Sequence, residues 1–394
     1  MVSGCGSSTG VRVVERSQSV ASTTSTSPPS PTAPVGLSAR GLVEALASDQ
    51  LAGRDNQTAG SVAAQDLMIE QIAQFAQPAL PSGYLQHFAF GSNVLALIPG
   101  GDLADEYIVI GAHYDHVGSS CESSDPTDFI CNGATDNATG VSVAISVARA
   151  IAAAGTPRRS VLLALWDAEE DGLLGSAAYV EAPAVPLAQT VAYLNFDIQG
   201  AALLPSLADV TFAIGAETGG NELSQATARA LATSTLQPMQ LSRFLFQGRS
   251  DHSNFADAGV PAVMFSDATG GCYHTAQDEA DIVDFAKLDS QVAVASALVS
   301  ELAATDAPPR VAPTPEMVFD DAVQLLSMAE LAATDSALLS PRASAQVAQF
   351  ASDLRTIVAA GADAFDGVAV ATVLSGVDGF VQSLTESTCE SFAS

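Results

Sequence analysis

Tyr107-Ile108-Val109-Ile110-Gly111-Ala112-His113-Tyr114-Asp115-His116 joins an unbroken apolar run to a cluster of imidazole and carboxylate side chains. An apolar run without alternation marks a strand buried on both faces, and such a strand needs helices above and below the sheet. The arrangement recurs along the chain. Residues 161–166 precede Asp167-Ala168-Glu169-Glu170, residues 191–196 precede Asp197, and residues 261–265 lie shortly before Tyr273-His274. Helical spacing over 140–154, 221–232 and 284–304, and a shorter helix near 175–180, separate these runs. The alternation predicts an α/β fold with a mixed, mostly parallel central sheet sandwiched by helices. A carboxylate at the end of a buried strand is costly unless it is paired. The four strand ends are therefore expected to converge on one mouth, the usual ligand position of an open α/β sheet.

Upstream, residues 37–47 and 61–75 have helical periodicity, while 85–90 and 93–98 read as strands, the second ended by Pro99-Gly100-Gly101. Downstream, 211–214 reads as a further strand. A Pro-rich linker over 307–315 then divides residues 37–306, which carry every cluster, from a helical C-terminal appendage over 316–394. Helices are expected there at 316–333, 344–360 and 368–384. The appendage contains no His, so no chemistry is expected of it. Residues 1–36 form a Ser/Thr/Pro-rich tether. Val2-Ser3-Gly4-Cys5 looks like the end of a bacterial lipoprotein signal. Cys5 is thus a candidate lipid anchor, and the expected location is extracytoplasmic, as a membrane-anchored lipoprotein or a secreted protein. Cys121 and Cys131 share one short loop and are candidates for a local disulfide in an exported protein; Cys272 is a candidate partner for Cys389. The 44 acidic residues outnumber 14 basic ones, giving a formal charge of −30, and Lys287 is the only lysine. This excludes the clustered cations that nucleic-acid binding needs.

His113 and Asp115 stand at i and i+2, which on an extended backbone puts both side chains on one face. Asp136 lies in Gly133-Ala134-Thr135-Asp136-Asn137-Ala138-Thr139-Gly140, a turn into a helix, where an ordinary helix cap is the competing reading. The adjacent carboxylates of Glu169 and Glu170 repel unless a cation or a proton separates them. Asp197 ends a very apolar strand. His274 follows Gly270-Gly271-Cys272-Tyr273, a loop able to place a ligand. His113, Asp136, Asp197, His274 and one of the Glu169-Glu170 pair, with the other Glu left free, make a mixed imidazole–carboxylate set that suits zinc rather than calcium. Two zinc ions can share one carboxylate.

In this order and at these intervals the segments resemble the co-catalytic zinc aminopeptidase family, which also contains glutamate carboxypeptidase II, the transferrin receptor and glutaminyl cyclase. The resemblance spans about residues 37–304. It rests on Asn93-Val94 to Pro99-Gly100, His113-Tyr114-Asp115-His116, Asp136-Asn137, Ala168-Glu169-Glu170 with Gly172-Leu173-Leu174-Gly175-Ser176, Asn195-Phe196-Asp197, Ser250-Asp251-His252, and Tyr273-His274-Thr275 with Asp278. It implies an aminopeptidase acting on peptide or protein N-termini with two Zn2+ per chain. By the resemblance His113 and Asp197 bind one zinc, Glu170 and His274 the other, and Asp136 bridges them. Glu169 is the general base, Asp115 supports His113, and Tyr273 is a candidate to steady the tetrahedral intermediate. The chain departs from the family pattern at Asp167, Gln199 and Glu279, which bears on pocket polarity rather than on the ligands. The rival readings are a single-zinc glutaminyl cyclase, a carboxypeptidase, for which Arg243 and Arg249 are the only basic candidates near a motif, and a catalytically inactive binding ectodomain.

Overall fold

The computed structural model describes residues 36–119, 121–125, 127–313, 317–385 and Cys389, so the expected tether and Cys5 lie outside the described residues. Nine strands among them form one sheet: β1 Gln77–Pro78, β2 Leu85–Phe88, β3 Gly91–Ile98, β4 Leu103–His113, β5 Arg159–Trp166, β6 Thr190–Phe196, β7 Val210–Ile214, β8 Gln237–Leu241 and β9 Ala262–Ser266. The helices are α1 Ala39–Leu46, α2 Ala59–Ile72, α3 Thr139–Ala154, α4 Leu174–Glu181, α5 Gly220–Leu231, α6 His252–Asp257, α7 Phe285–Ala304, α8 Phe319–Thr334, α9 Pro341–Ala360 and α10 Gly367–Thr385.

The sheet runs β1-β3-β5-β4-β6-β9-β7-β8, with β2 also paired to β3. Its centre, β5-β4-β6-β9, is parallel. The flanking pairs β3–β5 and β7–β9 are antiparallel, so the sheet is mixed. Every residue of β5, β6, β7 and β9 is buried, which explains their unbroken apolar runs. Alternate side chains serve two faces. Ile108, Ile110, Ala112, Val161, Leu163 and Leu165 pack with α1, α3, α5 and α7. Val109, Leu162, Ala164 and Trp166 pack with Tyr179 of α4 and Phe255 of α6. There the lone Trp166 donates its Nε1–H to Tyr193 Oη at 2.7 Å, and Tyr193 stacks on Phe255 with centroids 4.0 Å apart. This satisfies the polar atoms of two large buried rings.

Helices α8–α10 share a third cluster with the far edge of the sheet. Phe212 and Ile214 of β7, Met239 and Leu241 of β8 and Met264 of β9 pack with Leu325, Val347, Phe350, Val373, Val377 and Phe380. Residues from Gly36 onward thus make one compact unit. Helices 134–154 and α10 are long and apolar enough to cross a membrane by length and composition alone; the first is mostly buried inside the protein.

Three elements had no clear sequence pattern. β1 has two residues and α6 six, too short for a period to show. β8 (Gln237-Pro238-Met239-Gln240-Leu241) is polar and holds a proline, which is tolerated because β8 is an edge strand.

Candidate active site

The carboxyl ends of β4, β5, β6 and β9 bring the predicted donors together. β4 ends at His113, whose Nε2 lies 3.2 Å from Asp136 Oδ1 and 3.5 Å from Asp197 Oδ1. The other oxygen of Asp136, Oδ2, lies 3.1 Å from His274 Nε2, which is also 3.1 Å from Glu170 Oε1. His113, Asp136 and Asp197 form one donor group, and Asp136, Glu170 and His274 belong to a second. Asp136 turns one oxygen to each. Glu169 sits beside His113 and Glu170 and faces the cavity described below.

Backbone anchoring holds these groups in place. Asp136 lies in a turn over Ala134–Ala138, and α3 starts after it with Ala138 at its N-cap and no side-chain cap, so Asp136 is not a helix cap. The turn is instead pinned from across the fold. Asp278 accepts the N–H groups of Thr135 at 2.8 Å and Asp136 at 3.0 Å. Asp115 accepts the N–H groups of Glu169 at 3.1 Å and Glu170 at 3.2 Å. Its carboxylate lies 3.7 Å from His113 Nδ1, while its backbone oxygen is nearer, at 3.2 Å. Ala168, Ile198 and His274 have φ of 56°, 59° and 55°, a left-handed backbone that non-glycine residues rarely adopt. All three are donors or their immediate neighbours, a common place for stored backbone strain.

Arg54 is the residue that the sequence did not flag. It is fully buried and donates to the backbone oxygens of Tyr114, Leu46, Asn132 and Gly133 at 2.6–2.9 Å. It therefore ties the His113–His116 loop to the loop before Asp136. Gly53 beside it has φ +71°, and a Cβ there would stand 2.3 Å from Gly118 O, so this crossing requires glycine.

Burial and neighbouring charges compete throughout the site. Burial would lower the His113 pKa, but Glu169, Asp197, Asp115 and Asp136 together hold the imidazole well above its ordinary value. Burial lowers His274 too, and hydrogen bonds to Asp136 and Glu170 overcome this and push it up to about 10. The Glu169 carboxyl is raised well above the usual range by burial, opposed by His113 and reinforced by Asp197, Asp251 and Glu170. Asp251, buried and hydrogen-bonded by Ser176, is pushed up to about 7, chiefly by burial. Arg54 falls to about 10 through burial, with Asp136, Asp278, Asp115 and Glu170 working against that fall. Four of its five N–H groups go to carbonyls, so it acts on the backbone rather than on the carboxylates. Buried acids and imidazoles with donor atoms 3.1–3.5 Å apart around Asp136 fit a cation of the zinc type.

A cavity of about 340 Å³ opens over His113, Asp136, Glu169 and Asp197. Its apolar wall includes Ile198, Phe212, Phe246 and Met264. Tyr273, 40% exposed, lines it with its ring stacked 3.8 Å over His274. Burial raises the Tyr273 phenol pKa, so it stays protonated at neutral pH. The remaining wall comes from α10: Val377, Asp378, Val381, Gln382 and Thr385. The helical appendage, expected to take no part in the chemistry, therefore walls the site. The Cys272–Cys389 disulfide ties the chain beyond α10 to the loop carrying Tyr273 and His274. Of the two basic candidates, Arg249 lines the cavity, whereas Arg243 is paired with Asp257.

Residues 93–299, just over half of the chain, match the profile of peptidase family M28. The chain belongs to that family. Among relatives, the leupeptin-inactivating enzyme 1 of Streptomyces exfoliatus is 30% identical over 244 residues, covering 56% of this chain and 51% of the relative. A probable glutamate carboxypeptidase AMP1 of Arabidopsis thaliana is 32% identical over 204 residues, covering 48% and 26%. The chain spans about half or less of the length of these relatives. Among solved structures, the LapA aminopeptidase of Legionella pneumophila superposes with a TM-score of 0.55 at 20% identity, covering 68% of this chain and 70% of that one. The glutaminyl cyclase of Porphyromonas gingivalis gives 0.53 at 18% identity, covering 67% and 97%. At these identities the two structures establish the shared fold of the M28 domain.

Proposed function

We propose that this M28 chain is a zinc-dependent aminopeptidase that removes residues from peptide or protein N-termini using two zinc ions. The observation that carries the reading is Asp136, with one oxygen in each of two donor groups, and Glu169 beside them on the cavity. His113, Asp136 and Asp197 would hold one ion; Asp136, Glu170 and His274 would hold the other. Zinc bound there supplies Lewis acidity, making water more acidic and polarising a carbonyl.

The chain's own residues do the rest. Glu169 accepts a proton from the attacking water and returns it to the leaving amine. The protonated Tyr273 phenol donates a hydrogen bond to the carbonyl oxygen as negative charge develops there. Asp115 fixes the Glu169-Glu170 backbone, and the apolar wall excludes water and seats the side chain of the first residue. The acidic lining, Asp378 included, suits a cationic α-amine.

A panel of aminoacyl-nitroanilides, assayed with and without chelator alongside metal analysis, tests this. The expected result is cleavage that needs a free α-amine, stops on chelation and returns with zinc. Cleavage of N-blocked peptides from a free C-terminus would favour a carboxypeptidase using Arg249. Cyclisation of N-terminal Gln with one zinc per chain would favour a glutaminyl cyclase. An extracytoplasmic setting is part of the proposal: the cystines Cys121–Cys131 and Cys272–Cys389 support an oxidising compartment. Mass analysis for diacylglycerol on Cys5 tests the anchor.

A further inference from the structure

We propose that His116 is a sixth metal-binding residue, completing a four-donor position with Asp136, Glu170 and His274. The consequence is two unlike metal positions. One is closed by protein donors; the other, at His113, Asp136 and Asp197, keeps a coordination place free. The inference rests on the zinc reading above and goes beyond the five ligands that the family pattern implies.

The geometry carries it. His116 Nδ1 lies 3.0 Å from Glu170 Oε1 and 3.7 Å from Asp136 Oδ2. His274 Nε2 lies 3.1 Å from each of the same two oxygens. All four donor atoms fall within 4.8 Å of one another. Zinc–donor distances of about 2.0–2.1 Å give tetrahedral edges of about 3.3–3.4 Å. The four separations bracket that edge. The His113 group offers three donors, and three protein donors with an open place is the pattern of a catalytic zinc, whereas four is that of a closed one.

The ring is also built into its place. His116 is 1% exposed and lies edge-on to His274, centroids 5.3 Å apart at 74°. A Cβ on Gly133 would stand 2.5 Å from His116 Cδ2, so a glycine there makes room for the imidazole. His116 Nε2 is buried without a hydrogen-bond partner among the described residues. The polar role of the ring therefore rests on Nδ1, which faces the donor group. The rival account of the same contact is that Nδ1–H merely hydrogen-bonds Glu170 and orients it.

Metal titrations of the metal-free full chain separate the two, using Co2+ and competition with a chromophoric chelator. Wild type is expected to bind two ions. His116→Ser is expected to weaken one of them by at least about 10–100-fold, the range that loss of even an indirect partner produces, and to leave the other unchanged. His116→Asn keeps an N–H near the Nδ1 position and should not restore the affinity. His116→Cys should restore binding and add a near-ultraviolet thiolate-to-cobalt charge-transfer band. Wild-type affinity in the Asn variant, or no such band in a Cys variant that binds two ions, overturns the ligand role while leaving the two-metal reading intact. If the Ser variant does not fold, the band in the Cys variant decides alone. A wild type that binds no metal instead removes the zinc reading and this inference with it.

Discussion

At the ends of β4, β5, β6 and β9 seven imidazole and carboxylate side chains crowd within reach of one another; α10 contributes Val377, Asp378, Val381, Gln382 and Thr385 to the same cavity and not one imidazole. The two regions do different work and are held differently. The strand ends must keep like charges close together, so they are pinned by buried groups that act on backbone: Asp278 on the Asp136 turn, Asp115 on the Glu169-Glu170 segment, Arg54 on the loops between. The helix has only to present a surface of the right shape. Apolar packing against β7, β8 and β9 and one disulfide suffice for that. Chemistry is thus expected to depend on the first region and selectivity on the second.

The sharpest way to break this division is Glu169→Gln. It should retain the metal and fold normally, while kcat falls by about 10²–10⁴-fold, the usual share of a general base; steady-state kinetics with metal analysis check it. Near wild-type turnover would take the base away from Glu169. On the other side of the cavity, Val381→Phe should leave metal content unchanged. It should disfavour large first residues relative to alanine by about 10–200-fold, the range that a misfit in an apolar pocket produces. A uniform loss across all substrates would mean that α10 does not select. Cys389→Ser removes the tie between α10 and the Tyr273-His274 loop. The expected result is a lower Tm with a rise in KM of less than about tenfold and little change in kcat, because the metal-facing side of the site is pinned elsewhere.

The smallest effect concerns Glu279, which accepts a hydrogen bond from Asn132 at 2.8 Å and is pushed up to about 7 by burial, with Asp49, Asp128 and Asp278 adding to the rise. An acid whose folded pKa lies above its unfolded value opposes folding once it ionises. The penalty is absent below about 4.5, grows to pH 7 and is complete above that. Glu279→Gln should therefore raise Tm at pH 8 and leave it unchanged at pH 4, measured by calorimetry. An equal shift at both pH values would point to packing rather than charge.

Much of the sheet could be read in the sequence because β5, β6 and β9 are buried on both faces and so lack alternation. His113, Glu169, Glu170 and Asp197 stand out because each ends or closely follows such a run, whereas Asp136, in a turn before α3, is reached through the family resemblance. What could not be read depends on contacts between distant segments. Arg54 lies in Leu51-Ala52-Gly53-Arg54 with a left-handed backbone and no periodic pattern, and its acceptors are carbonyls, which any residue supplies. His116 is visible as a histidine, but only folding brings it 3.0 Å from Glu170. Helical spacing over 368–384 shows that α10 has a buried stripe without showing that part of that stripe faces the cavity. Glu279 stood out only as a departure from the family pattern, and its partner Asn132 is 147 positions away.

The central claim is that Asp136 divides its two oxygens between two cations, with His113 and Asp197 on one side and Glu170 and His274 on the other. Anomalous diffraction at the zinc edge from crystals of the zinc-loaded protein tests it most directly. The account predicts two peaks about 3.5–4 Å apart, one on each side of the Asp136 carboxylate. A single peak, or peaks away from Asp136, contradicts it.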